Sequence, residues 1–191
     1  MRSLSKNMEN DLVETPKKEA TPVELSALLL DAVCTPSERE RVALGELAGH
    51  LGVEVGQLQS ELMFLRAFAL DFAIGLALGE GPEQRAILVH LHQHWERLDK
   101  DIGAGLLQDL EDRFALYGEE VGSSGGDSTG LSGLVGRVFA RCCQSESQGD
   151  DLALLGGSMF SAFFAEIADL FEEIEVVLIS GEGVDEDFLP N

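Results

Sequence analysis

The chain is 191 residues long and 45% hydrophobic, and its 35 Asp and Glu against 13 Lys and Arg give a formal net charge of −22. That length is enough to bury a core in one domain, while the summed field of so many carboxylates repels phosphate backbones and anionic lipid headgroups. Nucleic acid and membrane surface are therefore disfavoured as partners, and the charge reads first as plain solubility and second as a face for a basic protein partner; a protein partner, with a homodimer as one form of it, is the expectation for the chain as a whole.

Residues 1–20 are polar without periodicity and read as a disordered tail. Residues 1–15 hold no apolar stretch of the kind a secretory leader needs. Thr21-Pro22 sets a capping hydroxyl before a proline at the first helical position, and Thr35-Pro36, with Glu38 behind it, repeats the signal. These starts predict helices over about 23–32 and 37–45, then a short one that ends at Leu51 before Gly52. A long apolar helix follows over about 56–78. Its part 62–78 approaches the length of a membrane span, but Arg66 and Asp71 inside it would each cost about 2.5–3.5 kcal/mol at the bilayer centre. A buried core helix is the cheaper reading.

Gly79-Glu80-Gly81-Pro82 separates this helix from the next, where Ile87, Leu88, Leu91, Trp95 and Leu98 recur at helical spacing over about 83–100. Leu107, Leu110, Phe114 and Tyr117 keep the same rhythm over about 104–117. Residues 118–130, rich in glycine and serine, predict a flexible loop. Helices are expected again over about 131–143 and 152–179, the second with Phe160, Phe163, Phe164 and Phe171 on its apolar stripe. Only Val176-Val177-Leu178-Ile179 has the β-branched character that argues for a strand. Residues 181–191 form an acidic tail. The fold class expected over 21–180 is all-α: one domain of roughly seven helices, orthogonal or bundle-like.

His90-Leu91-His92-Gln93-His94 gathers three of the four histidines. Side chains on a helix turn by about 100° per residue, so His90 and His94 share one flank and His92 falls on the other. His90 and His94 are thus the metal candidates, and two ligands leave a tetrahedral site half filled. No glutamate follows His90 and no Glu-x-x-His occurs, so neither the zinc-protease nor the di-iron pattern is present. No cofactor is expected.

Glu166, Asp169 and Glu173 share a helix flank, but no neighbouring His or Lys gives them acid and base roles. Cys34 and the adjacent Cys142-Cys143 make no disulfide framework, which suits a reducing cytoplasm, and the pair reads as small buried residues. The glycine loop lacks the Gly-Lys-Ser/Thr ending of a phosphate cradle. An enzyme is not expected.

The stretch "LGELAGHLGVEVGQLQSEL", residues 44–62, places Leu47 and Ala48 before a turn at Leu51-Gly52-Val53 and Leu58 and Leu62 after it. This resembles a helix-turn-helix, and its position is similar to that of the DNA-binding unit of TetR-type regulators. The resemblance implies an N-terminal DNA-reading unit ahead of a helical body that binds ligand and dimerises. The chain departs from that pattern where an aromatic pair is usual: Leu58 and Glu61 stand there. The residues that would face a groove, Glu54, Gln57, Gln59, Ser60 and Glu61, include no Arg or Lys.

The function expected is therefore a non-catalytic helical protein-interaction or regulatory module of the cytoplasm. Its partner-binding candidates are Glu54, Gln57, Glu61, Phe160, Phe164 and Phe171. The alternatives are a divergent TetR-type regulator and a metal protein using His90 and His94.

Overall fold

The structure, a computed structural model, describes residues 16–103, 105–123, 130–143 and 149–178. Most of the expected disordered tail, the centre of the glycine loop and the acidic tail at 181–191 lie outside these residues.

Reciprocal capping starts the first two helices. Thr21 Oγ1 accepts from the Glu24 N–H at 3.2 Å, and the Glu24 carboxylate accepts from the Thr21 N–H at 3.1 Å, with Pro22 next in line. Two end donors are satisfied at once, and α1 runs over Pro22–Cys34. Ser37 and Glu40 repeat the exchange at 3.3 and 2.8 Å and open α2, Glu38–Leu51. One helix stands here where two short ones are predicted. Leu44 and Ala48, buried on either side of Gly45, hold the helix against its neighbours through the glycine. α2 closes at Gly52, whose φ of +66° lies in the left-handed region that glycine enters without steric cost.

α3, Val55–Leu78, is the central element, and every residue from 61 to 70 except Met63 is buried. α4, Pro82–Ile102, packs on α1, and α5, Leu106–Ser123, packs on α4 and on α6, Leu131–Cys142. α7, Gly149–Glu173, lies along both α6 and α3. Phe68 on α3 joins three helices, with its ring 4.9 Å from Tyr117, 5.9 Å from Phe114 and 6.4 Å from Phe160. α5 runs past its expected end at Tyr117 because Tyr117 is fully buried and Glu120, one turn on, is bound by Arg137 and Arg141 of α6.

At Gly136 and Gly157 the α6–α7 contact is backbone against backbone, and the Phe139 ring packs directly on Gly156. A Cβ on Gly136 would collide with the Ala153 carbonyl oxygen and lie 2.9 Å from the Gly157 nitrogen, and one on Gly157 would meet the Ser132 carbonyl at 2.5 Å. Only glycine permits this approach.

α7 ends at Glu173, short of the expected 179, and the β-branched run after it pairs as a strand. β2, Ile174–Val176, lies parallel to β1, Lys18–Ala20, with Lys18 opposite Ile174 and Ala20 opposite Val176. The Val177 N–H donates to the Ala20 carbonyl at 2.9 Å. Residues 18–20, expected in the disordered tail, are thus held in place by the far end of the described chain. The fold is all-α: seven helices among the described residues and one two-stranded sheet.

Candidate functional site

Gly52, Val53 and Glu54 join α2 to α3, and Ala48, Leu51, Leu58 and Leu62 fill the inside of the corner. On its outside Glu54, Val55, Gly56, Gln59 and Ser60 are exposed. Glu54 makes no side-chain cap to α3. Gln57 is half-buried, and its amide donates to the Cys142 carbonyl at 3.3 Å, which ties the start of α3 to the end of α6.

Glu61 is not available to a partner. It is 4% exposed, and Arg113 of α5 grips it with two bonds, Nε to Oε2 at 2.8 Å and an Nη2 bond to Oε1 at 2.6 Å. The hydrogen bonds that Arg113 donates to Glu61 outweigh burial and keep it charged well beyond its ordinary range. Arg113 also lies over the Phe64 ring at 5.7 Å. The surroundings are apolar enough that the Tyr117 hydroxyl has no hydrogen-bond partner among the described residues, and burial, with Cys142 and Glu61 nearby, raises its pKa.

Five residues further along α3, Arg66 is 6% exposed, donates through Nη2 to Glu40 of α2, and sits 5.4 Å over the Phe163 ring of α7. Burial works to raise the Glu40 pKa, but bonds from Ser37 and Arg66 outweigh it and hold the carboxyl below its ordinary value. Glu40 therefore serves two elements: it caps its own helix and anchors the central one. The Arg66 Nε–H has no acceptor among the described residues.

Arg66 also lines an open cleft of about 400 Å³ between α1, α2 and the first half of α3. Val33, Leu44, Leu62 and Met63 give it apolar walls, and Arg41, Gln59 and Ser60 give it a polar edge. Cys34 contributes a thiol whose pKa is pushed up to about 11 by burial and by Asp31, so it stays protonated there at neutral pH.

The remaining candidates fall in several places. Phe160 and Phe171 are buried and serve the core, so they too are closed to a partner. Phe164 is half-buried, stacked 6.0 Å from Phe160 and tilted against Phe72 at 6.0 Å. His90 and His94 are half-buried on one flank of α4, while exposed His92 faces Glu96 at 3.6 Å. Burial, then Arg97 and His90, lowers the His94 pKa. Among the described residues no three His, Cys, Asp or Glu side chains come together as a metal-ligand group. Cys143 is buried, with its pKa pushed up to about 12 by burial and by Glu61, and burial also raises that of Cys142, so neither thiol is activated. Glu166, Asp169 and Glu173 are exposed on α7.

Arg113 and the double role of Glu40 escaped the sequence reading. A lone arginine in an apolar helix was a usable signal, since a buried charge must find a partner. Which partner it finds is a matter of tertiary contact. The chain matches no protein-family model, no curated protein and no solved structure.

Proposed function

We propose that the protein is a non-catalytic helical interaction module that docks a protein helix, its own copy included, along the outer face of α7. The observation that carries this reading is the mismatch between that helix's composition and its burial. Among the described residues α7 alone is long and apolar enough to cross a membrane, yet only 33% of its most apolar window is buried. Its uncovered face runs through Leu154, 72% exposed, then Ser158, Ala162 and Ala165. That uncharged stripe lies between Asp150 and Asp151 at one end and Glu166 and Asp169 at the other. In a chain of charge −22, an uncovered apolar face marks a contact surface, and small side chains on it let another helix come close. The exposed start of α3 contributes Glu54, Gln59 and Ser60 and no cation of its own, with Arg41 of α2 beside them paired to Glu38, which supports protein over DNA as the partner.

The test is sedimentation of the untagged protein over a wide concentration range, together with the Leu154→Glu and Ala162→Glu variants. Association that either variant weakens, with the helical content unchanged, is the expected result. Stable partition into phosphatidylcholine vesicles would overturn the reading in favour of a membrane. Turnover that Glu166→Gln or Asp169→Asn abolishes would overturn its non-catalytic part.

A further inference from the structure

We infer that the cleft between α1, α2 and α3 is a binding site for a small organic carboxylate with an apolar body, held by the Arg66 guanidinium. This site is separate from the α7 face and does not depend on it.

Three observations converge on that chemistry. The first is the charge of the walls. The chain carries 35 carboxylate side chains against 13 Lys and Arg, yet among the described residues two arginines, Arg41 and Arg66, line this cleft and no carboxylate does. Glu40 and Glu38, which pair with them, approach from outside the lining. The second is the state of Arg66. Its side chain is 7% exposed, and its Nε–H lacks an acceptor among the described residues although its Nη2 is taken by Glu40. A guanidinium offers five donors in a planar fork, and one carboxylate at one nitrogen leaves most of them unused. A second carboxylate entering from the cleft adds to the fork without displacing Glu40, which is separately anchored to the Ser37 N–H.

The third is shape. At about 400 Å³ the cleft falls in the lower part of the range of small-molecule pockets, roughly 300–1,000 Å³, and it is too small for a docked helix. Val33, Leu44, Leu62 and Met63 are the walls an alkyl or aryl body requires. The chain's negative charge slows the approach of any anion, but screening over about 8–10 Å leaves the contact with Arg66 intact once the ligand has entered.

The probe is octanoate, with 1-octanol as its uncharged counterpart, titrated into the ¹⁵N-labelled full chain. The expected result is saturable, one-to-one shifts at the amides of Val33, Ser60 and Met63, with 1-octanol about tenfold weaker or worse. Gly56→Leu should abolish binding. Gly56 lines the cleft, nothing lies within 4 Å of the position its Cβ would take, and the backbone there is ordinary helix, so the variant fills the cleft and leaves the core alone. Arg66→Lys is the second variant. It keeps a charge beside Glu40 but loses the fork, and about tenfold weaker binding is expected.

Octanoate shifts that fail to saturate, or that map to α6 and α7, overturn the proposal. Equal affinity for octanoate and 1-octanol overturns it as well, and so does unchanged octanoate binding in Gly56→Leu. Tighter binding of a short peptide through its free C-terminal carboxylate than of octanoate would replace the small molecule with a protein terminus as occupant.

Discussion

The α6–α7 seam and the α1–α2–α3 corner are both places where helices meet, and they are joined by opposite means. At the seam Gly136 and Gly157 bring backbone onto backbone, and the Phe139 ring of α6 lies directly on Gly156 of α7. At the corner a long side chain, Arg66, reaches from α3 to Glu40 on α2, and a cleft of about 400 Å³ remains beside it. A contact of backbone on backbone has one arrangement and resists change, even with a cleft of about 300 Å³ lined by Arg137, Arg141, Asp150 and Ala153 between the same helices. A contact made through a flexible ion pair leaves room for a ligand and for small rearrangement. The two regions separate the part of the molecule that fixes its shape from a part that can respond.

The sharpest way to break this contrast is to add one methyl group to each side. Gly136→Ala must push α6 from α7, because the new Cβ meets backbone atoms of Ala153 and Gly157 that cannot rotate away. A loss of about 3 kcal/mol or more is expected in chemical denaturation. Gly56→Ala, in the open first turn of α3, should instead stabilise by about 0.5 kcal/mol, since alanine gives up less backbone freedom than glycine. Equal effects of the two variants would erase the distinction.

Next in size is Glu61→Gln, which breaks the other long-range ion pair of α3. Glu61 is buried and Arg113 is a quarter exposed, so the stranded guanidinium recovers some water and the cost is about 2 kcal/mol rather than that of a fully buried pair. A double variant with methionine at both positions should regain most of that loss by thermal melting, because no unpaired charge is then left.

What could be read beforehand follows from the range of each interaction. The Thr21-Pro22 start of α1 is local and legible in the sequence, whereas α2 is capped by Ser37 and not by the expected Thr35, which closes α1 with its hydroxyl donating to the Asp31 carboxylate at 2.9 Å. The stop at Gly52 and the leucines inside the corner are equally local. The Glu61–Arg113 pair spans 52 residues and the Arg66–Glu40 pair 26, and no spacing rule reaches that far. For that reason Glu61 reads as a surface carboxylate in the sequence and is a core one in the structure. β1 was hidden for a related reason: Lys-Glu-Ala has no strand preference of its own and takes its form from Ile174–Val176. Of the candidate site, the corner was legible and the cleft was not, because α1 must fold back to supply Val33 and Cys34.

A comparable effect is expected at Glu40, where the corner's two duties meet. Glu40→Gln removes the charge from both the Ser37 cap and the Arg66 pair, and about 2 kcal/mol is expected, because the guanidinium it strands is only 7% exposed while Glu40 itself is partly exposed. The pH dependence has a definite sign. The folded pKa lies below the ordinary 4.5, so this contribution is present above 4.5 and is lost as the pH falls through the folded value. Acid titration of stability should therefore be steeper in the parent than in Glu40→Gln below pH 4.5.

The smallest effect concerns His94, and it tests whether α4 behaves like the seam or like the corner. Its folded pKa is depressed below 6.5 by burial, by Arg97 and by His90, so the unfolded chain takes up the proton first. Stability is then full above pH 6.5 and declines as the pH falls below it, which is opposite to what a histidine held by a carboxylate would show. His94→Gln should flatten the melting temperature between pH 7 and pH 5, while His92→Gln, on the exposed flank beside Glu96, should leave the slope in place. A slope that follows His92 instead would mean that exposed pairing, not packing against α1, governs this helix.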